Sequence, residues 1–454
     1  MVSVPEDSAW LSDVAAFLSG PVPPAVRDRG AQVVADVLTA TVAGAAVPAN
    51  DAVSGQVALG AGDASVVGTE RTADPGGAAL LNGTASISQE IEEGHNTGGH
   101  VGAGVVVGGF ALAEHADADG ERLVEGVVKA YELCARIENA IFLMKDRMNE
   151  ALPWLVRDPH STWTTLGPAV AGAIALGADE EAVLEAFRLG ANLAVVSMWD
   201  PYREGAPARN YTAGFSAQAG VNAALLADSG LAGSRAAMHR VYDPLRELKG
   251  EAFDRAFAEL GETWEIETNY YKFAPSCRYT HAPLGAVEEL ADEVDVERVD
   301  AIDVYSYRNA CDLDYTDYTN ATSAKFSIPY VLARYLTSGP FWLDDFDETS
   351  LSDPAVRALA ARVSVHYDEQ YEETFPEHWS ARVAVTHTDG STVAAECIDP
   401  PGDYRNFPGT DALREKWRRL LASRLDDADE AFDALVSIRE RDARAVGEAL
   451  RRGP

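Results

Sequence analysis

Apolar residues return at helical spacing in one segment after another through the first 265 residues. The stretch PPAVRDRGAQVVADVLTATVAGAA (23–46) opens on two prolines and then keeps one apolar face, which predicts a helix. The same pattern predicts helices in AALLNGTASIS (78–88), GERLVEGVVKAYELCARIENAIF (120–142), TLGPAVAGAIALG (165–177), DEEAVLEAFRLGANLAVVSM (179–198) and AGFSAQAGVNAALLADSGL (213–231). These segments are rich in Ala and Gly, so the helices are expected to approach one another closely.

From about residue 270 the period changes. VDAIDVYSY (299–307) and ARVSVHY (361–367) alternate and read as strands. SARVAVTHTDGSTVAAECI (380–398) holds two alternating runs joined at Asp389-Gly390, a hairpin signal. APLGAVEELADEV and TDALREKWRRLLASRL read as helices. The expected fold is therefore mainly α: a large helical domain from 1–265 and 400–454, with a smaller α+β lid domain at 266–399. A chain of 454 residues is long enough for two cores, and 47% hydrophobic residues can fill them. No internal repeat or low-complexity run interrupts this plan.

Charge narrows the partners. Asp and Glu number 72 against 37 Lys and Arg, a formal net charge of −35, and only six of those 37 are Lys. The acid is spread evenly, and an even acidic coat with Arg in place of Lys is expected of a chain adapted to high salt, where screening offsets self-repulsion. A field of this sign repels phosphate, so no nucleic-acid partner is expected. The four cysteines (134, 277, 311, 397) form no C-x-x-C pair, which argues against a structural zinc, a disulfide framework or an iron–sulfur cluster. The N-terminus lacks a signal-peptide pattern, and the longest apolar run, VGAGVVVGGFALA (101–113), is too short for a bilayer. A soluble, cytoplasmic protein without a membrane partner is expected.

Five segments carry candidate chemistry. In QEIEEGHNTGGH (89–100), Glu90, Glu92, Glu93, His95 and His100 crowd around glycines. The readings are a metal site, a solvated loop, or an acid/base and substrate-binding loop. The His pair is five apart rather than four, which is poor for a helical metal site. A glycine-rich break between two buried helices tends to turn its polar groups inward, which favours the third reading. In DPHSTWTTLGPAVAG, His160 precedes Ser161 and Thr162, either a plain cap or an anion site at a helix start. In ARNYTAGFSAQAG, Arg209 stands ahead of a helix start expected near Gly214, as a carboxylate clamp or a surface ion pair. NYYKFAPSCRYTHAPLGAVEEL groups Lys272, Cys277, Arg278 and His281, with the cysteine read as packing and the histidine as site or helix start. In AKFSIPYVLARYLTSG, Tyr330 opens a helix as a core residue or a proton donor.

Taken together, these segments resemble the MmgE/PrpD family, which contains 2-methylcitrate dehydratases, cis-aconitate decarboxylases and an iminodisuccinate epimerase. The resemblance runs from about 20 to 400 and also rests on Asp36 and Gly44 in the first helix, on the Asn-Gly pair in AALLNGTASIS, and on Tyr131, Glu132 and Arg136 in AYELCARIENA. It implies a helical domain with an α+β lid, a homodimer, no cofactor and no metal. It implies a cleft between the domains that takes a small polycarboxylate. Carried over by position, it implies catalytic roles for Glu90, His100, His160, Lys272 and Tyr330, and substrate contacts from Arg209 and His281; Arg278 and His95, in the same segments, are further expected substrate contacts. Three positions depart from the family pattern. The loop reads Glu90-Ile91-Glu92-Glu93-Gly94 where Asp-x-Asp-Asp-Thr is usual, Val101 stands where Pro follows the loop His, and Arg209 stands where Lys is usual. Arg suits a clamp but not proton transfer.

The shared chemistry is proton transfer at a carbon next to a carboxylate. It needs cations on that carboxylate and a base at the proton. His160 and His100 are the expected base and acid, Tyr330 a second donor, and Glu90 the anion that tunes a His. A dehydratase acting on a small hydroxy-polycarboxylate is the first expectation. An epimerase, a decarboxylase or a non-catalytic polycarboxylate binder are the alternatives.

Overall fold

A computed structural model describes residues 9–57, 59–97, 99–151, 164–195, 200–242 and 251–451. The chain is mostly helical, with a small mixed sheet in its C-terminal half, as the periodicities predict.

The helices that matter for the site are α1 (Pro24–Ala45), α2 (Pro75–Ser88), α3 (Val101–His115), α4 (Gly120–Ala151), α5 (Leu166–Leu176), α6 (Glu180–Asn192) and α7 (Ala208–Asp228). α2 starts where Asp74 accepts the Gly77 amide at 3.0 Å and Pro75 supplies a preset first turn. α3 is the apolar run 101–113 extended by two residues, and it is buried nearly throughout. Small residues do bring helices together: a Cβ on Gly214 of α7 would collide with the Leu80 carbonyl and the Thr84 hydroxyl of α2. Two boundaries differ from expectation. α6 stops at Asn192 although apolar residues continue, and α7 begins at Ala208, so Arg209 lies inside its first turn rather than ahead of it. Pro207, whose fixed φ suits a helix start, is the signal for that earlier boundary.

A short pair, β1 (Ala64–Ser65) with β2 (Thr72–Ala73), precedes a four-stranded sheet of order β4-β3-β5-β6, from β3 (Val299–Ser306), β4 (Val363–Tyr367), β5 (Ala381–His387) and β6 (Thr392–Cys397). β3 runs parallel to β4, with Ile302 opposite Val363, and antiparallel to β5, with Ile302 opposite Val385. The β5–β6 hairpin turns through Gly390 at φ +83°, a conformation glycine adopts without strain. α8 (His281–Leu290) packs on β5 and β6, and α9 (Ile328–Ser338) packs beside α8.

Two apolar cores result. One is built from residues between Trp10 and Tyr271 and closed by Leu413–Leu450 of the C-terminal helices. α10 (Thr410–Ala422) is tied to α1 by Lys416 and Trp417, which donate to buried Asp36 at 2.7 and 2.9 Å. The second core spans Cys277 to Val385 and also takes in Tyr202 from the first half of the chain. Tyr202 stacks edge-on against Phe326 at 4.8 Å, and Asn320 donates to the Gly205 carbonyl at 2.9 Å. The segment around 200–209 thus joins the two cores beside the loop that follows α2. Among the described residues no single helix is long and apolar enough to cross a membrane.

Candidate active site

The loop 89–100 is not a solvated surface. Glu90, Glu92, Glu93, His95 and His100 are all buried. Its path explains this. Glu90 sits at φ +54°, which turns the chain sharply at the end of α2. Ile91 is buried with Ala40, Ala43 and Leu420, while Glu90 and Glu92 on either side of it both come near His100. Gly94 and Tyr270 exchange backbone hydrogen bonds of 3.1 and 2.8 Å, pinning the loop to the start of the second half. A side chain at Gly94 would strike the Tyr270 hydroxyl, and one at Gly99 the Glu138 carboxylate.

Glu90 is the hub. One carboxylate oxygen accepts from Lys272 Nζ at 2.7 Å and the other contacts Arg209 Nη2. Arg209 is fixed in turn by donating from Nη1 to the Ile87 carbonyl at 2.8 Å and to Asn210 Oδ1 at 3.1 Å, and by lying over the Tyr202 ring. Burial by itself would raise the Glu90 carboxyl, but Arg209 and then Lys272 outweigh it and hold it well below the usual carboxylate range. Glu92 meets His100 Nδ1 at 2.5 Å, and Glu90 lies 4.0 Å from His100 Nε2. Burial also opposes ionisation of Glu92, and His100 reverses that, so this carboxyl too is lowered. The carboxylate that orients the histidine is therefore Glu92, and Glu90 anchors the cations. Glu90 remains near the histidine, 4.0 Å from its Nε2, with Glu92 the closer carboxylate.

The other loop residues hold the loop in place. His95 lies 3.1 Å from Glu265 and 3.6 Å from Glu138, and its Nδ1 is 2.8 Å from Thr97 Oγ1. Burial would lower its pKa, yet Glu138 and Glu265 push it up to about 10, so it is a fixed cation fastening the loop to the segment before Lys272. Glu93 accepts from Tyr131 and Asn269, each at 3.1 Å, and from the Gly102 amide at 2.9 Å. Burial raises it to about 7 despite these donors.

Of the remaining expected residues, Arg278 donates to Asp403 at 2.6 Å and lies 4.2 Å over the Tyr270 ring, and its buried Nε and Nη1 have no acceptor among the described residues. His281 begins α8 with Nε2 3.2 Å from the Ser276 carbonyl, and burial, then Arg278 and Lys272, hold its pKa well below the usual value. It is a neutral neighbour of the cations. Tyr330 is set apart: its hydroxyl donates to the Asp345 carbonyl at 2.7 Å, and its ring packs among Tyr318 and Phe346. His160 lies outside the described residues.

Two contributors, Glu92 and Lys325, have no role assigned by sequence reasoning. Lys325, at the end of the short helix Ala321–Lys325, reaches across to Gln89, donating to its side-chain oxygen at 2.5 Å and its carbonyl at 3.1 Å. The rarity of lysine was the available signal for Lys325. Glu90, Glu92 and His100 also offer ligand atoms within 4.8 Å of one another, the geometry of a candidate cation site. Both Glu90 oxygens already face cationic side chains, so a metal there would sit against Arg209 and Lys272. The arrangement suits an anionic ligand better: a His–carboxylate pair as base, with Arg209, Lys272 and Arg278 as positive charge.

The MmgE/PrpD N-terminal domain matches residues 13–244 and the MmgE/PrpD C-terminal domain matches residues 274–440. The chain belongs to the MmgE/PrpD family. Within it, this MmgE/PrpD enzyme is similar to the cis-aconitate decarboxylase-like protein oryM of Aspergillus oryzae, 25% identical over 80% of this chain and 79% of the relative. It is also similar to a cis-aconitate decarboxylase of Aspergillus terreus, 22% identical over 92% of this chain and 89% of the relative.

Proposed function

We propose that this MmgE/PrpD enzyme is a cofactor-independent lyase that removes a proton next to a carboxylate of a small hydroxy-polycarboxylate and expels water. One observation carries the reading: the His100–Glu92 pair faces a carboxylate, Glu90, that is held between Arg209 and Lys272. A C–H beside a carboxylate is a weak acid. Its removal deposits charge on the carboxylate oxygens, where buried cations act strongly. With Glu92 on Nδ1, the imidazole presents Nε2 as the base. Arg278, with two nitrogens lacking an acceptor among the described residues, would take a second carboxylate. Tyr330, spent on the Asp345 carbonyl, has no part in this scheme unless the lid rearranges, and His160 keeps its expected place as a second acid or base. The two cores would close on substrate as a helical body and an α+β lid, in a homodimer.

A second reading, loss of CO2, is favoured by the printed names of the two Aspergillus relatives. Both reactions pass through a carbanion-like intermediate, and they differ in what leaves. The purified enzyme in molar salt, offered 2-methylcitrate, citrate and cis-aconitate in turn, separates them by product NMR. An unsaturated acid with all its carboxylates retained supports dehydration. Release of CO2 from cis-aconitate alone overturns dehydration in favour of decarboxylation.

A further inference from the structure

Four lysines have described side chains, and all four are buried. Three contact a carboxylate: Lys129 with Glu125, Lys272 with Glu90 and Lys416 with Asp36, each at 2.7 Å. Lys325 is the exception. Among the described residues no carboxylate lies within ion-pair distance of it, and its two hydrogen bonds both go to neutral Gln89. An ammonium carries three donors, so one N–H remains beyond those two bonds. Nζ lies 5.1 Å from the centre of the Phe346 ring.

Its position is as particular as its pairing. Lys325 stands on the second core, where its carbonyl accepts the Cys277 amide at 2.9 Å, five residues after Lys272. Its side chain crosses to the residue immediately before Glu90. The charged groups that act on it are Glu90, Glu92, Lys272 and Arg209, the members of the candidate site itself. Burial pulls its pKa down to about 7, and the two glutamates only partly offset this, because Lys272 and Arg209 oppose them. A structural tie to Gln89 would be made more cheaply by a neutral donor. A buried amine without a counter-ion, able to hold or release a proton near neutrality, is suited to acid catalysis instead.

We propose that Lys325 is the acid that protonates the departing hydroxyl, a role that rests on the water-elimination reading above. The proton on the carbon next to the carboxylate passes to His100. The C–O bond then breaks, its electron pair leaves on oxygen, and that oxygen takes a proton from the Lys325 ammonium to depart as water. Lys325 is left as the amine and His100 as the imidazolium, and exchange with solvent resets both. A polycarboxylate entering beside Lys325 favours its charged form, so substrate loads the acid before the step that uses it.

The test compares substrate C–H exchange in D2O with water loss, for wild type, Lys325→Arg and Lys325→Met. Arg keeps the charge but does not release a proton near neutral pH. The expected result is that both variants keep exchange within about threefold while water loss falls about 100-fold or more. An analogue bearing fluoride in place of the hydroxyl, which leaves with little need of an acid, should recover most of the lost rate. In the wild type itself, kcat/KM for the hydroxy substrate should fall as pH rises through about 7, and the fluoro analogue should not show that limb. Full water-loss activity in Lys325→Arg, or an identical alkaline limb for the two leaving groups, overturns the proposal. Parallel loss of exchange and elimination, with a raised KM, reduces Lys325 to a clamp or a structural tie and also overturns it. Absence of exchange in the wild type overturns the elimination reading itself, a failure distinct from that of Lys325.

Discussion

At the scale of single residues, Glu90 and Glu92 look interchangeable in the sequence and differ in what surrounds them. Among the described residues Glu92 is in ion-pair contact with His100 alone, so Glu92→Gln removes the anion that orients His100. Steady-state kinetics should show kcat reduced by about 100-fold with KM little changed. A wild-type kcat would remove Glu92 from the mechanism. Glu90→Gln is different, because it removes the buried carboxylate that Arg209 and Lys272 share. Loss of one partner from a buried ion pair costs about 3–5 kcal/mol, and chemical denaturation should report a loss of that order. A variant within about 1 kcal/mol of wild type would show that Arg209 and Lys272 do not depend on Glu90. The sequence put these residues in one loop, but it could not assign their partners. Glu92 and His100 are eight positions apart, and Glu90 meets cations from residues 209 and 272, distances along the chain that periodicity does not encode.

At the scale of elements, the loop between α2 and α3 depends on Glu93 and the glycines. Glu93 has a folded-state value raised from 4.5 to about 7. Between those pH values the folded state holds a proton that the unfolded chain has released. Its contribution is therefore fully present below about 4.5 and lost as pH rises through about 7. Glu93→Gln should remove this dependence. Asn269 Oδ1 has no partner among the described residues, and the amide can turn so that it accepts from the new Gln. Wild type should then weaken relative to the variant by at most about 1.4 kcal/mol per pH unit across that window. Urea melts at several pH values measure it, and parallel curves would contradict it. Element existence was legible because apolar spacing is a local property: α1, α4, α5 and the β5–β6 hairpin appear where the pattern places them. What stayed hidden was non-local. The parallel pairing of β3 with β4, the membership of Tyr202 in the second core, and the fastening of Tyr330 to Asp345 follow from tertiary contacts.

At the scale of the whole molecule, charge and chemistry are arranged in opposite senses. The formal net charge is −35, yet the candidate site gathers Arg209, Lys272, Lys325 and Arg278 in its interior. The acidic coat repels itself, and salt relieves this only within a short screening length, about 10 Å at 0.1 M and about 3 Å at 1 M. The melting temperature should therefore fall on dilution from molar salt to about 0.1 M. A flat response would overturn the reading of salt adaptation. The site cations, shielded by burial, are positioned to attract a polyanion that the surface field opposes, so the apparent KM should also fall as salt rises.

Proton exchange tests the central claim most directly. Wild type and His100→Ala would be incubated in D2O at molar salt with each hydroxy-polycarboxylate, and one carbon beside a carboxylate followed by proton NMR. The account predicts deuterium uptake at a single carbon of one substrate by the wild type, and loss of that uptake in His100→Ala with the fold intact. Uptake that persists undiminished without His100, or none by the folded wild type on any polycarboxylate, would contradict it.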